Sequence, residues 1–131
     1  MKPAISQVCS LNSAFDKDIE DYASAGFEHV ELWLTKLEDF LAHKTLDDVR
    51  SLLEAHNLTP AAASFQGGLL TSQGEARAEA WKLFTRRLHL CRELHVPVLV
   101  VACDPHPPLK DVDIRRLQMS LREMASLGQE H

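Results

Sequence analysis

The chain has 131 residues, of which 45% are hydrophobic and 25% charged, the size and make-up of one globular domain. A formal net charge of −5, with Lys and Arg scattered among acids, gives no electrostatic basis for holding a polyanion, so nucleic acid is disfavoured as a partner. The longest apolar stretch, Val96 to Cys103, is broken by Pro97 and falls far short of the roughly 20 residues a bilayer requires. The N-terminus lacks the apolar region and cleavage site of a secretory signal, so the expectation is a cytoplasmic protein without membrane association.

Ala4 to Leu11 is a short apolar run ending at Asn12-Ser13 and reads as a first strand. Ser13 with Asp16 makes a capping-box start for a helix whose Asp16, Asp18 and Glu20 complement the dipole, whose Ile19, Tyr22 and Ala23 form an apolar face, and which Gly26 ends in the left-handed conformation. His29 to Trp33 is a second strand, followed by an amphipathic segment carrying Leu37, Phe40 and Leu41. Thr45 caps the next helix, with Asp47 and Asp48 in its first turn, Leu46, Val49, Leu52 and Leu53 at helical spacing, and Asn57 as its stop.

Thr59 to Phe65 is a third strand, with Pro60 tolerated at its start, and Gln66-Gly67-Gly68 forms the loop beyond it. Ser72 with Glu75 predicts a capping box for a long helix. Its stripe is Ala76, Ala80, Leu83, Phe84, Leu88, Cys91 and Leu94, and Val96-Pro97 ends it. Lys82, Arg86 and Arg87 on this helix form the densest basic cluster and read as a solvated outer face. Val98 to Cys103 is a fourth strand without alternation, the pattern of a parallel strand buried on both faces. After Asp104-Pro105-His106-Pro107-Pro108, residues Ile114, Leu117, Leu121 and Met124 mark a last helix ending near Gly128.

Four repeats of strand then helix imply a parallel sheet with right-handed crossovers and ligands at the carboxyl ends of the strands. Periodicity fits an open doubly wound sheet and half of a closed barrel equally. Cys9, Cys91 and Cys103 are an odd set without C-x-x-C spacing and read as reduced, mostly buried thiols. The seven histidines show no H-x-x-x-H pair or recognised ligand motif, and His106 between prolines is expected to be exposed. Gly67-Gly68 lacks the pattern of a phosphate-binding loop, and there is no G-x-S-x-G elbow.

Ala23-Ser24-Ala25-Gly26-Phe27-Glu28-His29-Val30-Glu31-Leu32-Trp33 resembles the A-x-A-G-[FY]-x-x-[VI]-E-[LI] segment of xylose-isomerase-like TIM-barrel proteins, the sugar phosphate isomerase/epimerase family. Leu52-Leu53-Glu54-Ala55-His56-Asn57-Leu58-Thr59 is similar to that family's L-L-x-x-x-G-L passage, with Asn57 in place of glycine. Ala80-Trp81 through Leu94-His95-Val96-Pro97-Val98-Leu99-Val100-Val101 is similar to its third helix running into strand four. The resemblance implies the N-terminal half of a (β/α)8 barrel, since such a barrel takes about 250 residues.

In that family a divalent metal (Mn2+, Mg2+ or Zn2+) is held by acids and histidine on strands five to eight, and two of those acids move protons. The resemblance therefore carries no metal ligand and no catalytic residue onto this chain, which is expected to bind no metal alone. What it implies here is a wall of the pocket for a sugar or sugar phosphate, formed by Glu31, Trp33, Gln66 and Asp104 at the strand ends. Glu31 matches the family's glutamate and lies on the opposite sheet face from Val30 and Leu32. A retained carboxylate there requires a partner, either a ligand or an ion pair at the barrel rim. Trp33 is suited to stacking on a sugar or to plain packing, and Gln66 and Asp104 to binding hydroxyls or to capping turns.

Three other readings compete with a metal-dependent isomerase/epimerase fragment. One is a non-catalytic half-barrel whose open edges are closed by a second copy. The others are a small doubly wound binding module and an endonuclease-IV-like repair enzyme, the last disfavoured by the acidic charge.

Overall fold

The computed structural model describes residues 3–102 and 108–130. Two compact units make up the chain: residues 1–64 with 91–100, and residues 65–90 with 101–131. The order of elements is β1 (Ile5–Ser6), a 3-10 turn (Gln7–Ser10), α1 (Phe15–Ser24), β2 (His29–Trp33), α2 (Leu34–Leu41), α3 (Leu46–Ala55), β3 (Thr59–Gln66), α4 (Gly74–Glu93), β4 (Leu99–Val101) and α5 (Asp111–Glu130).

The four strands are parallel and lie in the order β1-β2-β3-β4. Ile5 pairs with Val30 and Val30 with Pro60, and a register shift after Val30 sets Glu31 beside Ala62 and Trp33 beside Ser64. A doubly wound sheet reverses its strand order at a switch point. This sheet never reverses, and its four parallel strands with intervening helices are half of a (β/α)8 barrel.

In the first unit, Ile19, Tyr22, Val30, Leu32, Leu34, Leu37, Val49, Leu53 and Leu58 form the core, with Cys91 and Leu94 joining it. Three helices enter strands by one device. After α1, Gly26 takes φ +86°, its N–H reaches the Ala23 carbonyl, and the Phe27 N–H reaches that of Tyr22. Asn57 after α3 and His95 after α4 repeat it at φ 53°, with Leu58 bonding back to Leu53 and Val96 to Cys91. These are Schellman ends, which satisfy the last carbonyls and bring an apolar residue against the helix.

Several expectations are corrected. The first strand spans two residues only, because the chain coils at Gln7, and Ser6 accepts a bond from the Val8 N–H. Ser13 does not cap α1; the N-cap position is Ala14, and the Ser13 N–H bonds to the Ser10 carbonyl. Thr45 and Asp48 do form the capping box of α3. Ser72 lies outside α4, its hydroxyl donating to the Gly68 carbonyl.

Helix α5 runs through Gly128. Among the thiols, Cys91 is buried but Cys9 is exposed, and Cys103 and His106 lie outside the described residues. Arg87 is buried, not solvated, and donates to the Phe65 carbonyl and to Gln66. The expectation that β4 is buried on both faces fails as well. Leu99 packs against the core, whereas Val98 and Val100 are 51% and 41% exposed, because no described element covers that face of this edge strand.

Candidate functional site

Parallel strands present their carboxyl ends on one side, and in the first unit these ends are Ser6 on β1 and Trp33 on β2. Alternation along β2 sends Val30 and Leu32, both fully buried, toward the helices, and puts His29, Glu31 and Trp33 on the opposite face. Glu31 is half-buried between Ser6 and Ala62 in the register. Its carboxylate has no hydrogen-bond or ion-pair partner among the described residues. Ser64, set beside Trp33, buries a hydroxyl that is also unpartnered among them.

Beyond the strand ends lies a second polar group with the opposite character. Asp18 is 1% exposed and Lys36 7%. The Lys36 ammonium donates to Asp18 Oδ2 at 2.6 Å and to the Ser10 carbonyl at 2.5 Å. The Ser10 hydroxyl donates to Asp18 Oδ1 at 2.8 Å and meets the Tyr22 hydroxyl. Gln7 completes the set, its Nε2 donating to Asp18 at 3.3 Å and its Oε1 accepting the Trp33 N–H at 3.0 Å.

A buried ion pair is tolerable when its remaining lone pairs and protons find partners; here Asp18 accepts three hydrogen bonds and Lys36 donates two. The cluster ties the turn after β1 to the end of β2 and so fixes the backbone of Trp33. Burial pushes the Tyr22 phenol above its ordinary value, partly offset by the Ser10 hydroxyl. Lys36 also sits 5.9 Å from the centre of the Trp33 ring, within cation–π range.

A cleft of about 370 Å3 opens beside this cluster, lined by Trp33, Lys36, Phe15, Phe40, Asp16 and Asp39 among others. Phe15 and Phe40 stack with ring centres 5.0 Å apart. Aromatic faces flanked by carboxylates and an ammonium are suited to a polyhydroxylated ligand, which offers C–H faces and hydroxyls together.

In the second unit, Gln66 is buried at the end of β3. Its Nε2 donates to the Gly67 carbonyl at 2.8 Å and its Oε1 accepts from Arg87 at 3.2 Å. Asp104 lies outside the described residues. The structure thus places Glu31 and Trp33 on one face of β2, while the Gln66 amide is engaged within the protein.

Gln7, Asp18 and Lys36 were missed by the sequence reading. A signal for Asp18 existed: it stands on the stripe Phe15, Asp18, Ile19, Tyr22, all buried, so it is an acid at a core position as well as in the first turn of the helix. Among the described residues no three His, Cys, Asp or Glu side chains converge to hold a metal.

Over residues 19–131 the chain matches the family described as xylose isomerase-like TIM barrel. The chain belongs to this family. No curated protein matches it in sequence. Among solved structures it is similar to the IolI protein with a bound zinc atom, at 21% identity and a TM-score of 0.85, covering 99% of this chain and 48% of that one. It is also similar to the probable 3-DHS dehydratase AsbF of Bacillus anthracis, at 13% identity and a TM-score of 0.84, covering 100% and 49%. The D-psicose 3-epimerase of Clostridium cellulolyticum H10, solved with D-tagatose, aligns at 18% identity and a TM-score of 0.75, covering 99% and 49%. At these identities the likeness establishes the fold, and the chain spans about half the length of the structures it matches.

Proposed function

We propose that this chain supplies the first four strands and part of the substrate wall of a divalent-metal-dependent sugar or sugar phosphate isomerase or epimerase, which moves a proton between adjacent carbons through an enediol(ate). The observation that carries this reading is Glu31: a half-buried carboxylate without a protein partner among the described residues, on the same face as Trp33. Such a group keeps acceptor capacity that water fills in the free chain and that ligand hydroxyls can take over. In this reading Glu31 binds substrate hydroxyls and Trp33 stacks on the C–H face.

The metal, whether Mn2+, Mg2+ or Zn2+, and the acid–base pair belong to strands five to eight of the complete fold. The chain alone is expected to be inactive. A cytoplasmic location is part of the same proposal; no described helix is long and apolar enough to cross a membrane. The acidic balance weighs against the endonuclease alternative.

The test is a titration of the isotope-labelled chain with D-fructose and D-tagatose, followed by NMR. The Trp33 indole and Glu31 amide signals are expected to shift, and Glu31→Gln to abolish the response. Shifts confined to other regions would overturn the assignment of the wall. Ketose epimerisation by the purified chain with added Mn2+ or Mg2+ would overturn the assignment of the chemistry to the other half.

A further inference from the structure

We infer that Asp16 and Asp39 set the charge specificity of the cleft beside Trp33, so that it takes neutral polyhydroxylated ligands and rejects their phosphorylated forms. This rests on the substrate wall proposed above and narrows its ligands from sugars and sugar phosphates to the uncharged class.

The charged side chains lining the cleft are Asp16, Lys36 and Asp39. Lys36 is not available to an anion. Its ammonium is buried against Asp18 at 2.6 Å and the Ser10 carbonyl at 2.5 Å, so the pair adds no net charge to the wall. Asp16 and Asp39 are exposed and have no cationic partner among the described residues. Glu31, on the same face of β2 as Trp33, is a third carboxylate at this end of the strand.

Two helix starts oppose this negative charge. That of α1 is already served by the chain, since the Asp16 carboxylate accepts the Lys17 N–H at 2.9 Å. That of α2 lies between the cleft residues Trp33 and Thr35 and has no side-chain cap, so its N–H groups are open to a ligand oxygen. A helix start is worth about half a positive charge, against a full negative charge on each of Asp16 and Asp39. The balance stays negative.

A phosphate monoester, at about −2 near neutral pH, is therefore repelled. Sugar hydroxyls meet no such penalty, because they donate to the two carboxylates and accept from the α2 N–H groups, while the Trp33 and Phe40 rings offer apolar faces to C–H groups.

The experiment follows the Trp33 indole signal of the isotope-labelled chain during titration with D-fructose and with D-fructose 6-phosphate at matched ionic strength. The phosphate is expected to bind about tenfold more weakly at about 20 mM salt, the gap closing to about twofold at about 500 mM as screening shortens the reach of the carboxylates. Asp16→Asn combined with Asp39→Asn should narrow the low-salt gap to about twofold, whereas Glu20→Gln combined with Glu54→Gln, which removes the same net charge from exposed positions outside the cleft, should leave it at about tenfold. No response of Trp33 to either ligand would overturn the wall itself. Fructose binding with a phosphate form that binds as well or better, or a gap unmoved by salt and by the aspartate variants, would overturn the charge specificity alone.

Discussion

Two carboxylates of the first unit, Asp18 and Glu31, are treated in opposite ways. Asp18 is fully buried and takes bonds from Lys36, Ser10 and Gln7; Glu31 is half-buried and has no partner among the described residues. The contrast separates a polar group spent on holding strand ends together from one left available at the surface those ends create. Around Asp18 the polar atoms find partners within the chain, whereas no described residue meets the Glu31 carboxylate or covers Val98 and Val100.

The largest effect should come from breaking the satisfied cluster. Asp18→Ala strands the Lys36 ammonium in the interior and is expected to cost about 3–5 kcal/mol in urea unfolding. The double variant Asp18→Leu, Lys36→Met removes both charges and should recover most of that loss; a double variant as unstable as the single would show that the charge pair is not what is being lost. Gln7→Ala comes next, at about 2 kcal/mol, because it leaves the Trp33 N–H without its acceptor.

Tyr22 adds a pH signature. Its pKa is raised in the folded state, chiefly by burial, so the folded protein holds the phenolic proton longer than the unfolded chain. The associated stability is fully present below about pH 10 and is lost as the pH rises through the folded value. Tyr22→Phe should flatten the alkaline limb of the stability profile, and an unchanged limb would count against the burial argument. The smallest effect belongs to Glu31→Gln, expected within about 0.5 kcal/mol of the parent because no described protein contact is removed. A loss as large as that of Asp18→Ala would mean that Glu31 too is structural.

Much of the fold was legible because it is written in local chemistry. His29 to Trp33 was read with the observed boundaries, since its β-branched and aromatic residues sit between a left-handed glycine and a polar run. The Thr45 cap and the Asn57 stop were legible for the same reason. His95 takes the same left-handed position as Asn57 but was not recognised, because histidine there gives a weaker signal than glycine or asparagine.

The site was less legible. Gln7, Asp18 and Lys36 come from three elements and converge only through packing, which no spacing in the sequence encodes. Arg87 looked like part of a solvated stripe because its acceptors, Gln66 and the Phe65 carbonyl, lie about twenty residues earlier in the chain. The pattern of β4 was read correctly as apolar on both faces, but burial depends on a cover that lies outside the strand itself.

The plain strand order has a consequence for how the protein is made. Each strand pairs with its neighbour in sequence, Ile5 with Val30, Val30 with Pro60 and Ala63 with Val98, so successive closures span only about 25 to 35 residues. Loop entropy rises slowly with such lengths, about 0.6 kcal/mol per doubling, and a chain leaving the ribosome at about 5–20 residues per second can add one strand and its helix every few seconds. Growth from the N-terminus leaves the newest strand as the open edge at each moment, so each strand, once paired, is the template on which the following one is laid.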